Sequence, residues 1–134
     1  MGDVKAGVIT AHHYSAAAVR PENAAYVAAW KKEYGENSSP NFMSTAGYDA
    51  MGAILAAIRE QKGRIDADRT IEILRHYKNP GSPRGPFEID PETRDIIQNV
   101  YIRRLERLDG RLINREIETI PMQKDFWKIF NKKK

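Results

Sequence analysis

The chain has 134 residues, no cysteine and a formal net charge of +4 at neutral pH. This length supports one domain with a modest core. The lack of cysteine excludes disulfides and thiol chemistry, and no run of about 18 apolar residues is available to span a membrane. The basic balance raises nucleic-acid binding as a possibility. However, the basic residues are interleaved with acidic ones, and part of the excess lies in the solvated tail Asn131-Lys132-Lys133-Lys134.

The first predicted elements are a short strand and a helix. Gly7–Ala11 is an apolar, partly β-branched run that is typical of a buried strand. Pro21 fits the first turn of a helix, and Gly35 is expected to end it in a left-handed conformation. The apolar stripe of this helix consists of Tyr26, Val27, Trp30 and Tyr34.

Two more helices are predicted after a polar loop. Ser44 or Thr45 is expected to cap the second helix, which is rich in alanine and stops at Gly63. A helix that is small or apolar around most of its circumference is usually packed on more than one side. Asp66 is expected to cap the third helix, with its inward side chains being Ile71, Leu74 and Tyr77.

The second half of the chain predicts strands. Asn79–Pro83 is too rich in proline and glycine for regular structure, and Asp109-Gly110 is a strong hairpin signal between two long strands. Pro121 is expected to end the second of these strands, before a short amphipathic stretch. The predicted segments in order are strand Gly85–Ile89, turn Asp90–Thr93, strand Gln98–Leu108, strand Arg111–Ile120 and the stretch around Phe126, Trp127, Ile129 and Phe130. This order is compatible with both α/β and α+β folds.

The candidates for chemistry are few. His12 and His13 are adjacent, so on a strand their side chains would point to opposite faces and would not share a metal ion. Lining positions at a cleft or hinge are favoured for them instead. The sequence contains no nucleophile–base constellation, phosphate-binding glycine loop or redox motif, so we expect no enzyme, no cofactor and no metal site.

Two charged clusters have ordinary structural explanations. The acidic group Asp90, Glu92 and Asp95 lacks the spacing of a calcium loop and is interpreted as a capped turn. The arginines of the predicted hairpin could suit nucleic acid, but glutamates lie among them and are expected to pair across the strands. These glutamates are Glu106, Glu116 and Glu118.

The start of the second helix is the remaining candidate site. Ser44-Thr45-Ala46-Gly47-Tyr48 would present backbone N–H groups at the positive end of the helix dipole, which suits a carboxylate. The alternative is a plain helix cap with Tyr48 in the core. The residues alone leave both interpretations open.

Three stretches together resemble a known family. They are Gly7-Val8-Ile9-Thr10-Ala11-His12-His13-Tyr14, Gly47-Tyr48-Asp49-Ala50 and the segment from Ser82 to Arg104. In this order they resemble the C-terminal third of the type I periplasmic solute-binding proteins of ABC transporters, in the group that handles branched-chain amino acids, amides and aromatic acids. The resemblance runs from Gly7 to about Ile120.

The resemblance implies an α/β fold in which two lobes are joined by three crossing strands, with solute bound between the lobes. This chain would be a C-terminal fragment of that fold, forming one domain over residues 1–134. Its expected parts are a strand and crossing (7–15), a helical layer (20–78), strands and a hairpin (84–120) and a tail (121–134). The segment that carries a leader would lie outside this chain, and the parent would be periplasmic, or extracellular and lipid-anchored.

The resemblance also implies roles for individual residues. The expected ligand-binding residues are His13, Tyr14, Phe42, Met43, Ser44, Thr45 and Tyr48. The expected hinge residues are His12, His13, Gln98, Asn99 and Val100. The implied partners are a small-molecule solute, the membrane subunits of the transporter and the N-terminal segments of the parent, and the fragment itself is expected to form a homo-oligomer. The alternatives are an independent α+β protein-interaction domain and, more weakly, a basic nucleic-acid-binding module.

Overall fold

The computed structural model describes residues 6–131, in which five strands and four helices follow one another. The elements are β1 (Ile9–His12), α1 (Pro21–Tyr34), α2 (Phe42–Glu60), α3 (Ala67–Arg75), β2 (Lys78–Asn79), β3 (Phe87–Ile89), β4 (Ile96–Leu108), β5 (Arg111–Gln123) and α4 (Phe126–Asn131). The predicted order of strand, three helices, short strand and hairpin is confirmed. The basic residues 132–134 lie outside the described residues, as do residues 1–5.

The sheet is built around β4, and all its pairings are antiparallel. β5 runs along one edge of β4 through the turn at Asp109 and Gly110. β3 and β1 share the opposite edge: β3 pairs with residues 96–98 and β1 with residues 101–104. β2 extends the sheet beyond β3. One long strand therefore connects the region around β3 with the region around β1.

The helix termini follow local capping chemistry. Pro21 begins α1, and the N–H of Gly35 donates to Lys31 O at its end. Asp66 caps α3 by accepting a hydrogen bond from the Arg69 N–H at 2.8 Å. None of the helices in the described range is long and apolar enough to cross a membrane.

The predicted start of α2 is wrong by three or four residues, since Ser44 or Thr45 was expected as its cap. Its cap is Asn41, whose side chain accepts from the N–H of Ser44, while the Ser44 hydroxyl accepts from the Asn41 N–H. This reciprocal pair is a capping box, in which Ser44 occupies the third helical position. Ser44 and Thr45 therefore lie inside the helix, and Phe42 and Met43 form its first turn instead of the preceding loop.

Three smaller expectations are also corrected. Ile73 is the buried side chain of α3, while Ile71 is exposed, because the helix is rotated relative to the predicted stripe. β5 continues past Pro121 to Gln123, since an edge strand tolerates a residue without an N–H. Asn79, expected to be irregular, lies in β2 and pairs with Phe87 of β3.

The buried centre of the fold lies where the loop before β3 meets β4. Tyr101 is 3% exposed, and its hydroxyl donates to the carbonyl of Arg84 at 2.6 Å. The neighbouring Gly85 has φ +93, a conformation that side-chain-bearing residues rarely adopt. A Cβ on Gly85 would also overlap the Tyr101 hydroxyl. The loop can therefore approach β4 closely only because glycine occupies this position.

Gly85→Ala is expected to lower the free energy of unfolding by about 1–3 kcal/mol, because it adds both backbone strain and an overlap with Tyr101. Urea denaturation followed by circular dichroism measures the change. The matched control is Gly110→Ala, which also has positive φ but nothing within 4 Å of the added Cβ. Equal losses in the two variants would show that the close approach to Tyr101 contributes nothing.

Candidate functional site

The segment after β1 brings two histidines together. The rings of His12 and His13 stack with their centroids 4.4 Å apart, and the Phe42 ring lies edge-on to both of them. The expectation that these side chains point to opposite faces is therefore wrong. The strand ends at His12, so the alternation of a strand does not extend to His13.

The surroundings of His13 favour a neutral imidazole. The pKa of His13 is lowered to about 4, mainly by burial and also by His12 and the positive charges of Arg84 and Arg103. Within residues 6–131, no group of three or more histidine, cysteine, aspartate or glutamate side chains is placed to hold a metal ion. Burial also lowers the pKa of His12, so both imidazoles are expected to be neutral at pH 7.

Tyr14 and Ser15 anchor the segment that follows. Tyr14 is buried, and its hydroxyl donates to Asn23 Oδ1 at 3.0 Å. Burial is also the main reason that the pKa of Tyr14 rises to about 12. The Ser15 hydroxyl donates to the carbonyl of Asn114 in β5. Residues 12–15, called here the crossing segment after their expected role, are thereby attached both to α1 and to the hairpin.

The first turn of α2 offers an apolar surface, but two of its backbone donors are already used. The N–H groups of Met43 and Ser44 both donate to Asn41 Oδ1, at 2.9 and 3.0 Å. Thr45 is fully buried, and its hydroxyl donates to the Asn41 carbonyl. Met43 is 70% exposed, and Phe42 is also exposed. The apolar surface predicted at this helix start is therefore present, but these two N–H groups are not free to bind an anion.

Tyr48 lies one turn further along α2 and is not in the core. It is 55% exposed, and its ring centroid is 4.8 Å from that of Tyr26 on α1. Tyr48 packs against α1 and does not line the groove beside Phe42.

A groove of about 550 Å³ runs between these elements. Its walls come from the crossing segment, from α1 and the loop after it, from the start of α2, and from β4 and the start of β5. The lining residues are His12, Tyr14, Ser15, Ala16, Ala17, Val27, Lys31, Ser39, Pro40, Asn41, Phe42, Arg103, Arg111, Leu112, Ile113 and Asn114. The groove includes Tyr14 and Phe42 of the predicted ligand-binding residues. It combines aromatic and aliphatic surface with several basic groups, a composition that suits a small organic ligand.

A buried ion pair that the sequence analysis missed lies behind this site. Arg84 Nε is 2.7 Å from Asp49 Oδ2, and both side chains are almost fully buried. The Ser82 hydroxyl donates to the same carboxylate oxygen at 2.9 Å. Burial raises the pKa of Asp49, while the hydrogen bonds from Ser82 and Arg84 oppose that rise. An acidic residue inside an alanine-rich helix was the signal in the sequence, but its partner is 35 residues away.

Arg84 connects this pair to the predicted hinge. Its Nη1 donates to Gln98 Oε1 at 3.0 Å at the start of β4. The next residue, Asn99, accepts from the Met122 N–H and donates to the Tyr101 hydroxyl. The pairing of β4 with β5 shifts register between Gln98 and Val100. The predicted hinge residues thus occupy an irregular point of the long strand, and their motion stays a prediction.

The acidic cluster has the expected structural role, but of the hairpin glutamates Glu106 pairs across the strands as expected and Glu116 does not. Asp90 Oδ1 accepts from the N–H of Glu92 at 2.9 Å, which makes a capped turn. Glu106 pairs across the hairpin with Arg115, and Glu116 pairs with Arg20 at the start of α1. The basic hairpin is thus partly neutralised by its own glutamates.

Comparison with known proteins shows what this fold is similar to. The family model described as periplasmic binding protein matches residues 1–111. A curated relative from Brucella abortus (strain 2308), named Leu/Ile/Val-binding protein homolog 6, is 36% identical over 126 residues. That match covers 93% of this chain and 32% of the relative.

Two solved structures share the fold closely. A solute-binding protein of an ABC transporter from Rhodopseudomonas palustris BisB5, in complex with 3,4-dihydroxybenzoic acid, has a TM-score of 0.89 and 46% identity. Its counterpart from Rhodopseudomonas palustris HaA2, in complex with p-hydroxybenzoic acid, has a TM-score of 0.85 and 39% identity. The matches cover 96% and 94% of this chain, and 34% of each solved chain.

The chain therefore belongs to the periplasmic binding protein family. It spans about a third of the length of the relatives it matches. The predicted resemblance and the predicted α/β fold are confirmed. Family membership favours the solute-binding interpretation over an independent interaction domain or a nucleic-acid-binding module.

Asp49→Ala is expected to cost about 3–5 kcal/mol of unfolding free energy, because it leaves the Arg84 guanidinium buried without its partner. Chemical denaturation measures the loss. The control is Glu60→Ala, which removes the exposed ion pair with Arg69 and is expected to cost less than about 1 kcal/mol. A loss for Asp49→Ala as small as that of the control would contradict a structural role for the buried pair.

Proposed function

We propose that this chain forms part of the solute-binding component of an ABC importer, acting by binding and not by catalysis. The observation that carries the proposal is the groove beside the crossing segment, where the Phe42 ring, the crossing residues and several basic groups meet. Family membership and the names of the solved relatives support the same class of function.

The proposed solute is a small organic acid with an apolar body. The structures at 46% and 39% identity hold hydroxylated benzoic acids, and the curated relative is named for leucine, isoleucine and valine. All of these compounds carry one carboxylate and an apolar portion. The aromatic rings and the cationic groups along the groove match both features.

The proposed ligand wall consists of the first turns of α2 and the crossing segment. It contains His13, Tyr14, Phe42, Met43, Ser44, Thr45 and Tyr48, of which Thr45 would act through the helix cap because its side chain is buried. Ligand contacts made by both lobes only in a closed form would shift the protein towards closure. His12, His13, Gln98, Asn99 and Val100 are the proposed hinge.

The partners of the parent protein follow from the same proposal. They are the membrane subunits of the transporter, which would receive the closed and loaded form, and the N-terminal segments that would supply the second wall. A periplasmic or lipid-anchored extracellular location accords with the family. Residues 7–15 would be the strand and crossing, 20–78 the helical layer, and 84–120 the strands and hairpin. Because β5 continues to Gln123, the tail predicted for 121–134 would begin after that residue.

The test compares Met43→Ala and Tyr48→Ala in a full-length protein that carries this segment. Each is expected to weaken binding of 4-hydroxybenzoate or leucine by about 1–3 kcal/mol, through loss of apolar contact. Isothermal titration calorimetry measures the affinity, and thermal melting separates binding from stability. Val19→Ala, at a fully exposed residue away from the groove, is the control.

Unchanged affinity in both variants would remove the start of α2 from the site. The 134-residue chain alone is expected to bind the same solutes only in the millimolar range, because one wall provides only part of the contacts. A micromolar affinity of this chain would contradict the two-wall proposal.

The exposed side of α2 is the basis for the proposed self-association. Its large apolar side chains face solvent in the described structure: Tyr48, Met51, Ile54, Leu55 and Ile58. A continuous apolar patch of this kind marks an interaction surface. In the parent we propose that it packs against the N-terminal segments, and in this chain that it pairs with a second copy.

Light scattering at high protein concentration is expected to show a dimer of the 134-residue chain. Ile54→Lys should shift the chain to a monomer, because it places a charge within the apolar patch. Ile65→Lys, at an exposed isoleucine beyond the end of α2, should leave the dimer intact. A monomer for the unaltered chain would contradict the proposal.

A further inference from the structure

Arg103 differs from the other basic residues of the groove in how it is held. It lies on β4 directly opposite Thr10 of β1 and Glu116 of β5, and it is half-buried. Its Nε donates to Thr10 Oγ1 at 3.2 Å, and its Nη1 donates to the carbonyl of Tyr14 at 2.6 Å. These two bonds fix the plane of the guanidinium, while its Nη2 has no hydrogen-bond partner in the described part of the chain.

The other cations along the groove have partners. Lys31 forms an ion pair with Glu36, and Arg111 donates to the side chain of Asn37. Glu116, the acid opposite Arg103, forms its ion pair with Arg20. Among residues 6–131, no carboxylate lies within ion-pair distance of Arg103. Glu116 acts on Arg103 only at longer range than an ion pair. A partly buried cation without an ion-paired carboxylate suits an incoming anion.

The rest of the lining sets the shape and charge of that anion. The groove combines the aromatic Phe42 and the aliphatic Val27 and Leu112 with three basic residues, and its described lining contains no aspartate or glutamate. An aromatic carboxylate has a flat apolar body and a single negative charge, which fit these walls. The ammonium group of a free amino acid would instead lie among cations without an acidic partner.

We propose that Arg103 is the carboxylate-binding residue of the solute site, and that it favours aromatic monocarboxylates over zwitterionic amino acids. The carboxylate would accept a hydrogen bond from the free Nη2 of Arg103, a charge-assisted contact with fixed geometry. This inference rests on the proposed solute-binding function and names the residue that would select among the solute classes of the relatives.

The test uses the 134-residue chain and NMR titration, which detects millimolar binding through shifts of backbone and arginine Nε signals. The probes are 4-hydroxybenzoate, its neutral analogue 4-hydroxybenzyl alcohol, and leucine. We expect 4-hydroxybenzoate to bind about tenfold more tightly than either of the others, because only it offers a carboxylate without an ammonium group.

The variants assign that preference to one residue. Arg103→Gln is expected to weaken 4-hydroxybenzoate binding by about tenfold and to leave the alcohol unaffected. Arg103→Lys keeps the charge without the planar fork and should give an intermediate affinity. Arg104→Gln, at the next residue of β4 and outside the groove lining, is the matched control and should change affinity less than about twofold. Dispersion of the backbone spectrum confirms that each variant is folded.

The possible failures can be told apart. Equal affinity for the acid and the alcohol would overturn the role of Arg103 while leaving an aromatic-binding wall in place. Equal losses in the Arg103 and Arg104 variants would show general charge attraction and would also overturn it. No shift with any probe would contradict the proposed ligand wall itself.

Discussion

The ion pair between Asp49 and Arg84 is the interaction on which the arrangement of the site depends. It joins the middle of α2 to the loop before β3, at a point that is almost completely buried. Arg84 then reaches Gln98 through its side chain, and its carbonyl receives the Tyr101 hydroxyl. Removing two charges from water is unfavourable unless their remaining hydrogen-bonding groups are satisfied, and here Ser82 and Gln98 supply those bonds. The pair therefore determines where α2, and with it Phe42, lies relative to the long strand.

A second link completes the connection to the hairpin. The Arg20 guanidinium lies 4.7 Å from the centre of the Tyr101 ring, donates to the carbonyl of Pro83 and pairs with Glu116 of β5. Arg20 thereby contacts the loop before β3, and the side chain of Arg84 attaches that same loop to α2 and β4. Because Glu116 is occupied in this way, Arg103 on the neighbouring strand keeps its charge available to the groove. The electrostatics of the candidate site are thus a consequence of how the scaffold pairs its own charges.

The elements of this fold could be predicted where a local signal decides the structure. Pro21 and Gly35 delimit α1, and Asp109-Gly110 marks the hairpin, since both signals act within a few residues. The start of α2 was predicted too late because Asn41 has a capping ability similar to that of the predicted caps Ser44 and Thr45. Only the reciprocal bonds of Asn41 and Ser44 distinguish them. The rotation of α3 depends on tertiary packing, which a stripe of isoleucines does not specify.

The site was less predictable than the fold. Phe42 and Tyr14 were found through the family resemblance, and both line the groove. Arg103 and Arg84 were not singled out as site residues, because their importance depends on strand register and on partners distant in the sequence. The stacking of His12 on His13 was missed for a related reason, since it depends on where the strand ends.

The arrangement of partners around β4 gives this strand uneven stiffness. On one edge, β3 ends its pairing at Gln98 and β1 begins at Tyr101, so residues 99–100 have no ladder partner there. On the other edge, the register with β5 shifts at the same place. Bending a paired ribbon requires distortion of its hydrogen bonds, and residues 99–100 have a ladder partner on one edge at most. If the proposed hinge acts at residues 98–100, a small rotation there would become a large displacement at the distant hairpin tip, because β4 continues through it to Leu108.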